Sequence, residues 1–341
     1  MAHNGSLRVT RQRARASTGS AVKALSVGLV MLCGVFPTDL VAEQSRGRRV
    51  AVTFDDLPGS TVTEEQRCNA TKLLSVSKRL LAPFRKNEWP TTGFVTEGNL
   101  CDELDEAVLD TVLEEWVAAG AELGNHTYSH PDLNDLSVED YIQDIVRGER
   151  ALNRVLKAHG LTLRYFRYPM LHAGDEPQKK AAIESFLRER GYSQGVVTMD
   201  NQEWVYAAVY ERALERGDDA LMSKVVQGYL RHLEESLAYY ESLSINRFGR
   251  NIPHVLLLHV NALNADHIDK VLGLLRDRGY VFESLESVLR DEVYDRDDLY
   301  VGRVGLSWLH RWFEDGPEES TNEPRESEEM GRLLRSYPRQ Q

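Results

Sequence analysis

Along the chain, short apolar runs alternate with longer stretches whose apolar residues recur at helical spacing. The runs predict strands at Arg49–Phe54, Thr92–Thr96, Ala121–Gly124, Leu163–Arg167, Gly195–Thr198, Val255–His259 and Tyr280–Ser284. Between them the spacing predicts helices at Glu65–Lys86, Asp105–Ala119, Ser137–His159, Gln178–Arg190, Ala207–Asn246 and Asp266–Arg278. Apolar positions at i, i+3 and i+4 give a helix one buried stripe, whereas a short continuous apolar run suits a strand buried on both faces. Parallel strands need long crossovers, which helices supply, so this alternation predicts an α/β fold with a parallel sheet. About seven β/α units predict a distorted (β/α)7 barrel forming a single catalytic domain. Its expected span is 43–312, with a helical insertion over about 207–250 in which Tyr229, Leu233, Leu237 and Tyr240 share a face for packing on the barrel wall.

The two ends break the pattern. Arg8, Arg11, Arg13, Arg15 and Lys23 precede an apolar run from Ala24 to Phe36, and Leu40-Val41-Ala42 offers small-residue cleavage before Glu43. About a dozen apolar residues are too few to span a bilayer, so residues 1–42 read as a signal peptide. The mature protein is expected to be exported, periplasmic or extracellular, with no integral membrane span. At the other end, 313–341 is rich in Glu, Arg, Pro and Ser and is expected to be a disordered acidic tail.

The 341 residues are 42% hydrophobic, enough for a sizeable core. A formal net charge of -12 argues against nucleic acid as a partner, because a polyanion attracts basic surfaces. Beyond the leader only Cys68 and Cys101 remain, which form either one disulfide or two buried thiols.

In β/α barrels, chemistry gathers at the carboxyl ends of the strands. Five polar segments fall there. Thr53-Phe54-Asp55-Asp56 follows the first strand, and an acidic pair there is either a turn cap or, beside a cation, two carboxylates kept ionised together. His126 and His130 follow the third strand, either as a surface pair or as metal ligands sharing one side of a helical turn. Arg167, ahead of Tyr168-Pro169-Met170, ends the fourth strand and needs a carboxylate partner if it enters the core. Asp200-Asn201-Gln202-Glu203-Trp204 follows the fifth, offering acids and an aromatic wall, and His259 ends the sixth as either a core histidine or a functional one.

Taken together, these segments resemble the polysaccharide deacetylase family, also called the NodB-homology domain or carbohydrate esterase family four, over roughly Arg48–Leu289. Its five motifs are matched in order by Thr53–Asp56, His126–His130, Arg167–Met170, Asp200–Trp204 and Leu257–His259. The resemblance implies Asp55 as general base, Asp56, His126 and His130 as ligands of a divalent metal, and His259 as general acid. The expected metal is zinc, with cobalt, nickel or manganese as alternatives. Arg167 would orient Asp55, the N–H of Met170 would meet the oxyanion, and Trp204 with Leu257 would line an acetyl pocket. His172 would sit at the rim or face solvent.

The chain departs from the family pattern at two positions. Met170 stands where the family usually has Tyr, and Glu203 stands where the acid before the tryptophan is usually Asp. Either Asp200 or Glu203 could therefore partner His259. Asn261–His267 and the stretch from Tyr300 to Trp312 resemble an exported bacterial subgroup. The implied function is removal of N-acetyl or O-acetyl groups from a polysaccharide or oligosaccharide. Two alternatives share the apparatus or the fold: a metal-dependent amidase acting on a non-carbohydrate amide, and a catalytically idle glycan-binding protein.

Overall fold

A computed structural model of the chain describes residues 47–60 and 63–336; the expected signal peptide, residues 1–42, lies outside the described residues. The central strand β1 (Arg48–Leu57) is buried almost throughout, as expected of a strand covered on both faces. It pairs in parallel with β2 (Thr92–Val95), and β2 pairs in turn with β3 (Glu122–Asn125). The sheet continues through β4 (Tyr165–Phe166) to β5 (Ser193–Gln194). On its other side β1 pairs with β6 (His254–His259), and the start of β1 also pairs with β7 (Tyr280–Phe282). The strand order is β5-β4-β3-β2-β1-β6, with β7 on β1.

The ring closes through the chain after β5. Thr198 and Met199 both donate to the Val255 carbonyl, and the Leu257 N–H donates to that of Met199. A parallel bridge joins Met199 to Leu256. The fold is therefore the expected distorted barrel. The fifth strand differs from expectation, because Gly195–Thr198 is the segment that crosses from β4 to β6. Gly195 donates to Phe166 on one side, and Thr198 bonds β6 on the other.

Side chains alternate along β1. Val50, Val52 and Phe54 pack outward under the helices in the main core, while Ala51 joins Phe94, Tyr165 and Val255 in a small interior cluster. That interior is tight: a Cβ on Gly195 would lie 2.3 Å from the Phe94 ring. Above this floor Thr53, Asp55 and Arg167 are buried polar residues.

Two long predicted helices are broken. Ser137–His159 divides into Val138–Arg147 and Arg150–Ala158. The insertion divides into Glu203–Arg216 and Asp219–Phe248, because Gly217 adopts the left-handed conformation (φ 64°) and the Asp218 side chain caps the next helix through the Leu221 N–H.

The tail corrects the sequence reading. Residues 314–336 are not disordered: helices form at Gly316–Glu319 and Glu328–Ser336, and Met330 is buried. Composition was misleading because the docking groups lie elsewhere, on the insertion. The Tyr239 hydroxyl donates to the Glu319 carbonyl, that of Tyr240 to Glu323, and Tyr206 accepts from the Ser327 N–H. Cys68 and Cys101 form a disulfide, which removes both thiols from any metal-binding role.

Candidate active site

The β1 strand ends by turning two adjacent acids apart. Asp55 continues the strand, facing His259 in register on β6, whereas Asp56 takes a positive φ of 67°. His126 follows β3, its N–H bonded to Val95, and the loop to His130 is not helical. The expected helical turn is replaced by a loop in which Thr127 (φ 68°) and His130 (φ 54°) are left-handed. Asp144 stabilises this loop by accepting from the Tyr128 and Ser129 N–H groups and the Ser129 hydroxyl. Asn125 adds a bond to the Thr127 N–H at 2.8 Å. Non-glycine residues in this conformation persist only where the surroundings over-determine them, and here they gather at one cleft.

The loops bring Asp56 Oδ1 to 3.5 Å from His130 Nε2 and 3.8 Å from His126 Nε2. Asp55 Oδ2 lies 3.6 Å from His126 Nε2. Asp56 Oδ1 is a buried oxygen without a hydrogen-bond partner, so an acceptor and two imidazole nitrogens face one point. Bonds of about 2.0–2.2 Å from a common centre would put such atoms roughly 3.4 Å apart, and two nitrogens with one carboxylate suit zinc. The three residues therefore fit a divalent cation. The His126 Nδ1–H donates to the Arg167 carbonyl at 2.9 Å, which leaves Nε2 its lone pair. Burial pushes the His126 pKa down to about 4, so the ring is neutral near pH 7. Burial alone would raise the Asp56 pKa, but His130, His259 and His126, with a Ser60 hydrogen bond, hold it below the usual value.

Arg167 has the carboxylate partner that its burial demands. Its Nη1 donates to Asp55 Oδ1 at 2.6 Å and to Thr53 Oγ1 at 2.8 Å, and Nε donates to the Gly195 carbonyl at 2.7 Å. The guanidinium carbon lies 4.0 Å from the centre of the Phe94 ring. Asp55 is therefore fixed through Oδ1, leaving Oδ2 toward the two-histidine cluster.

On the opposite side, His259 Nδ1 meets Glu203 Oε2 at 2.8 Å. The partner of His259 is thus Glu203, and Asp200 makes a separate local contact, accepting from the Asn201 N–H at 2.7 Å. Burial would lower the His259 pKa, but the Glu203 hydrogen bond and charge, with Asp56 and Asp55, raise it to about 10. Burial raises the Asp200 pKa to about 6, against the Asn201 bond and the His259 charge.

Leu257 is buried two residues before His259 on β6 and so shares its face. Trp204 is exposed at the start of the Glu203–Arg216 helix. Met170 is exposed on a turn with φ 54°, and His172 bonds Asp132 through Nδ1 at 2.9 Å. The sequence reading gave no site role to Thr53, Asn125 or Asp144, nor to Asn261 and Asn264 around Glu203. The last two had a local signal, an Asn-x-x-Asn spacing at a helix start directly after His259.

A family profile described as Polysaccharide deacetylase matches residues 42–184. The chain is 30% identical over 122 residues to a chitin deacetylase of Colletotrichum lindemuthianum, covering 36% of this chain and 42% of the relative. It is 26% identical over 138 residues to a peptidoglycan-N-acetylglucosamine deacetylase of Bacillus cereus, covering 40% of this chain and 42% of that one. The alignments thus span less than half of these relatives. Among solved structures, the polysaccharide deacetylase Bc1974 from Bacillus cereus superposes with a TM-score of 0.48 at 16% identity, covering 70% of this chain and 91% of that one. Residues 42–184 are therefore similar to the polysaccharide deacetylase family. Among the described residues, no helix is long and apolar enough to cross a membrane.

Proposed function

We propose that this protein is an exported, metal-dependent hydrolase that removes N-acetyl or O-acetyl groups from a polysaccharide or oligosaccharide. The observation that carries the reading is the opposition of two poised groups: Asp55 clamped by Arg167 beside Asp56, His126 and His130, and His259 backed by Glu203. Glycan as substrate class follows from the relatives, both of which are named for deacetylation of amino-sugar polymers.

Asp56, His126 and His130 would hold the cation, with zinc favoured by the donor set. When bound, the cation supplies Lewis acidity and a water acidic enough for a carboxylate to deprotonate. Asp55 accepts that proton through Oδ2, since Oδ1 is committed to Arg167. The N–H of Met170 helps to meet the charge developing on the acetyl oxygen, a role worth about 3 kcal/mol for a well-placed donor. An amide nitrogen leaves only when protonated, and His259, held as the cation by Glu203, delivers the proton. Leu257 and Trp204 would receive the acetyl methyl group. Asp200 adjusts the local charge beside His259 and Arg167, and His172, tied to Asp132, shapes the rim. Export is supported by the basic and apolar leader over 1–42 and by the Cys68–Cys101 disulfide, which suits an oxidising compartment.

The test is acetate release by zinc-loaded mature protein from chitooligosaccharide, peptidoglycan and exopolysaccharide fragments. Release from at least one glycan, abolished by a chelator and restored by zinc, is expected. Release only from non-carbohydrate acetamides would replace this reading with the amidase one, and glycan binding without release would replace it with the idle binder.

A further inference from the structure

Around Glu203 lies a layer of buried polar side chains whose geometry leaves little freedom. Asn261 and Asn264 both donate through Nδ2 to the same carboxylate oxygen, Oε1, with Asn264 at 2.9 Å. The other oxygen, Oε2, is left for His259. Asn264 spends its second Nδ2 hydrogen on the His259 carbonyl at 2.8 Å, and its Oδ1 accepts from the Tyr229 hydroxyl at 3.0 Å. Turning this amide over would set Oδ1 against a carboxylate and a carbonyl with no proton between them, so one orientation alone satisfies the cluster. Asn261 is fixed likewise, because its Oδ1 caps the next helix through the Asn264 N–H at 2.9 Å. Tyr229, Asn261 and Asn264 are fully buried and Glu203 is 1% exposed, so solvent water does not compete for these bonds.

A glutamate has one more side-chain torsion than an aspartate and more rotamer freedom to lose on being fixed. Two amide donors on Oε1 remove that freedom and turn Oε2 toward His259. We propose that Asn264, itself oriented by Tyr229, is a positioning residue for the Glu203–His259 pair, and that the insertion helix Asp219–Phe248 thereby reaches the site through one hydroxyl. The inference rests on the reading of His259 as the proton donor.

The test compares wild type, Tyr229→Phe and Asn264→Leu as zinc-loaded full-length mature proteins. One readout is the His259 ring Nδ1–H resonance in 15N-histidine-labelled protein, assigned with His259→Asn. The other is kcat and KM on a chitooligosaccharide. The wild-type proton should be far downfield and slow to exchange, and it should move upfield or broaden in both variants. Turnover should fall about tenfold in Tyr229→Phe, the loss of one neutral hydrogen bond. In Asn264→Leu the fall should be on the order of 100-fold, the lower range for a displaced acid, with KM within about twofold. A folded Tyr229→Phe protein with wild-type resonance and wild-type kcat would overturn the proposal, and that variant decides alone if Asn264→Leu does not fold. Should wild type release no acetate while the variants still shift the resonance, the deacetylase reading fails and the positioning role stands. Unchanged resonances in both folded variants would reject the positioning role whatever the activity.

Discussion

Asp55, Asp56, His126, His130 and Arg167 sit at the ends of β1, β3 and β4, within the segment matched by the family profile. Glu203, Tyr229, His259, Asn261 and Asn264 lie beyond that segment, on two helix starts, a strand end and the long insertion. In the first group Asp56 and His130, with Thr127 between the histidines, are left-handed, at a cost of about 1–3 kcal/mol each that the surrounding loops must offset, while the Arg167 side chain clamps Asp55. In the second group none of the five residues has a positive φ, and side-chain amides and a tyrosine hydroxyl do the holding. A site can therefore be positioned either by strained main chain, which fixes ligands against each other, or by a satisfied buried network, which fixes the direction of one charged pair. The two designs should fail differently when cut.

The sharpest cut is at the base. Asp55→Asn should lower turnover by about 10⁴-fold or more while stoichiometric metal remains by elemental analysis. Wild-type turnover in that variant would remove Asp55 from the chemistry. His126→Ala combined with His130→Ala should lose the metal on dialysis against a chelator, and full retention would refute the ligand set. In the second group, His259→Asn should reduce kcat by about 10²–10³-fold with KM little altered. A rate near wild type would mean that another acid operates.

A gentler probe of the same half uses pH. The folded pKa of His259, raised to about 10, exceeds the ordinary 6.5. Its stabilising contribution is complete below pH 6.5 and is lost as pH rises through 10, because the native state keeps a proton that the unfolded chain has released. The melting temperature of wild type should fall across this window, and Glu203→Gln should flatten the fall; parallel curves would exclude the coupling. The smallest effect on activity is expected from Met330→Ala in the tail, which should cost stability of about 2 kcal/mol or more and leave kcat within about twofold. A large kcat loss there would extend the second group into the tail.

How much the sequence disclosed follows the same divide. Strand ends announce themselves, because an apolar run stopping at Asp55, Arg167 or His259 is visible locally, and so the barrel and its polar strand ends could be read directly. The choice between Asp200 and Glu203 could not, since it depends on how the start of one helix meets the end of a strand 56 residues later. The His126–His130 loop was assigned to the wrong geometry because the spacing that suits a helical turn also suits a loop with left-handed residues. The tail was misjudged for a related reason: its order comes from tyrosines on the insertion, which its own composition cannot show.

The Phe94 ring beneath Arg167 carries a last consequence. It is wedged where Gly195 permits no side chain, and the guanidinium that steadies Asp55 rests on its face. A methyl group at position 195 would push the ring and, through it, the arginine, so that an inert floor position would transmit its displacement to the Asp55 carboxylate. Kinetic assays alone would then confuse damage to the foundation with damage to the chemistry.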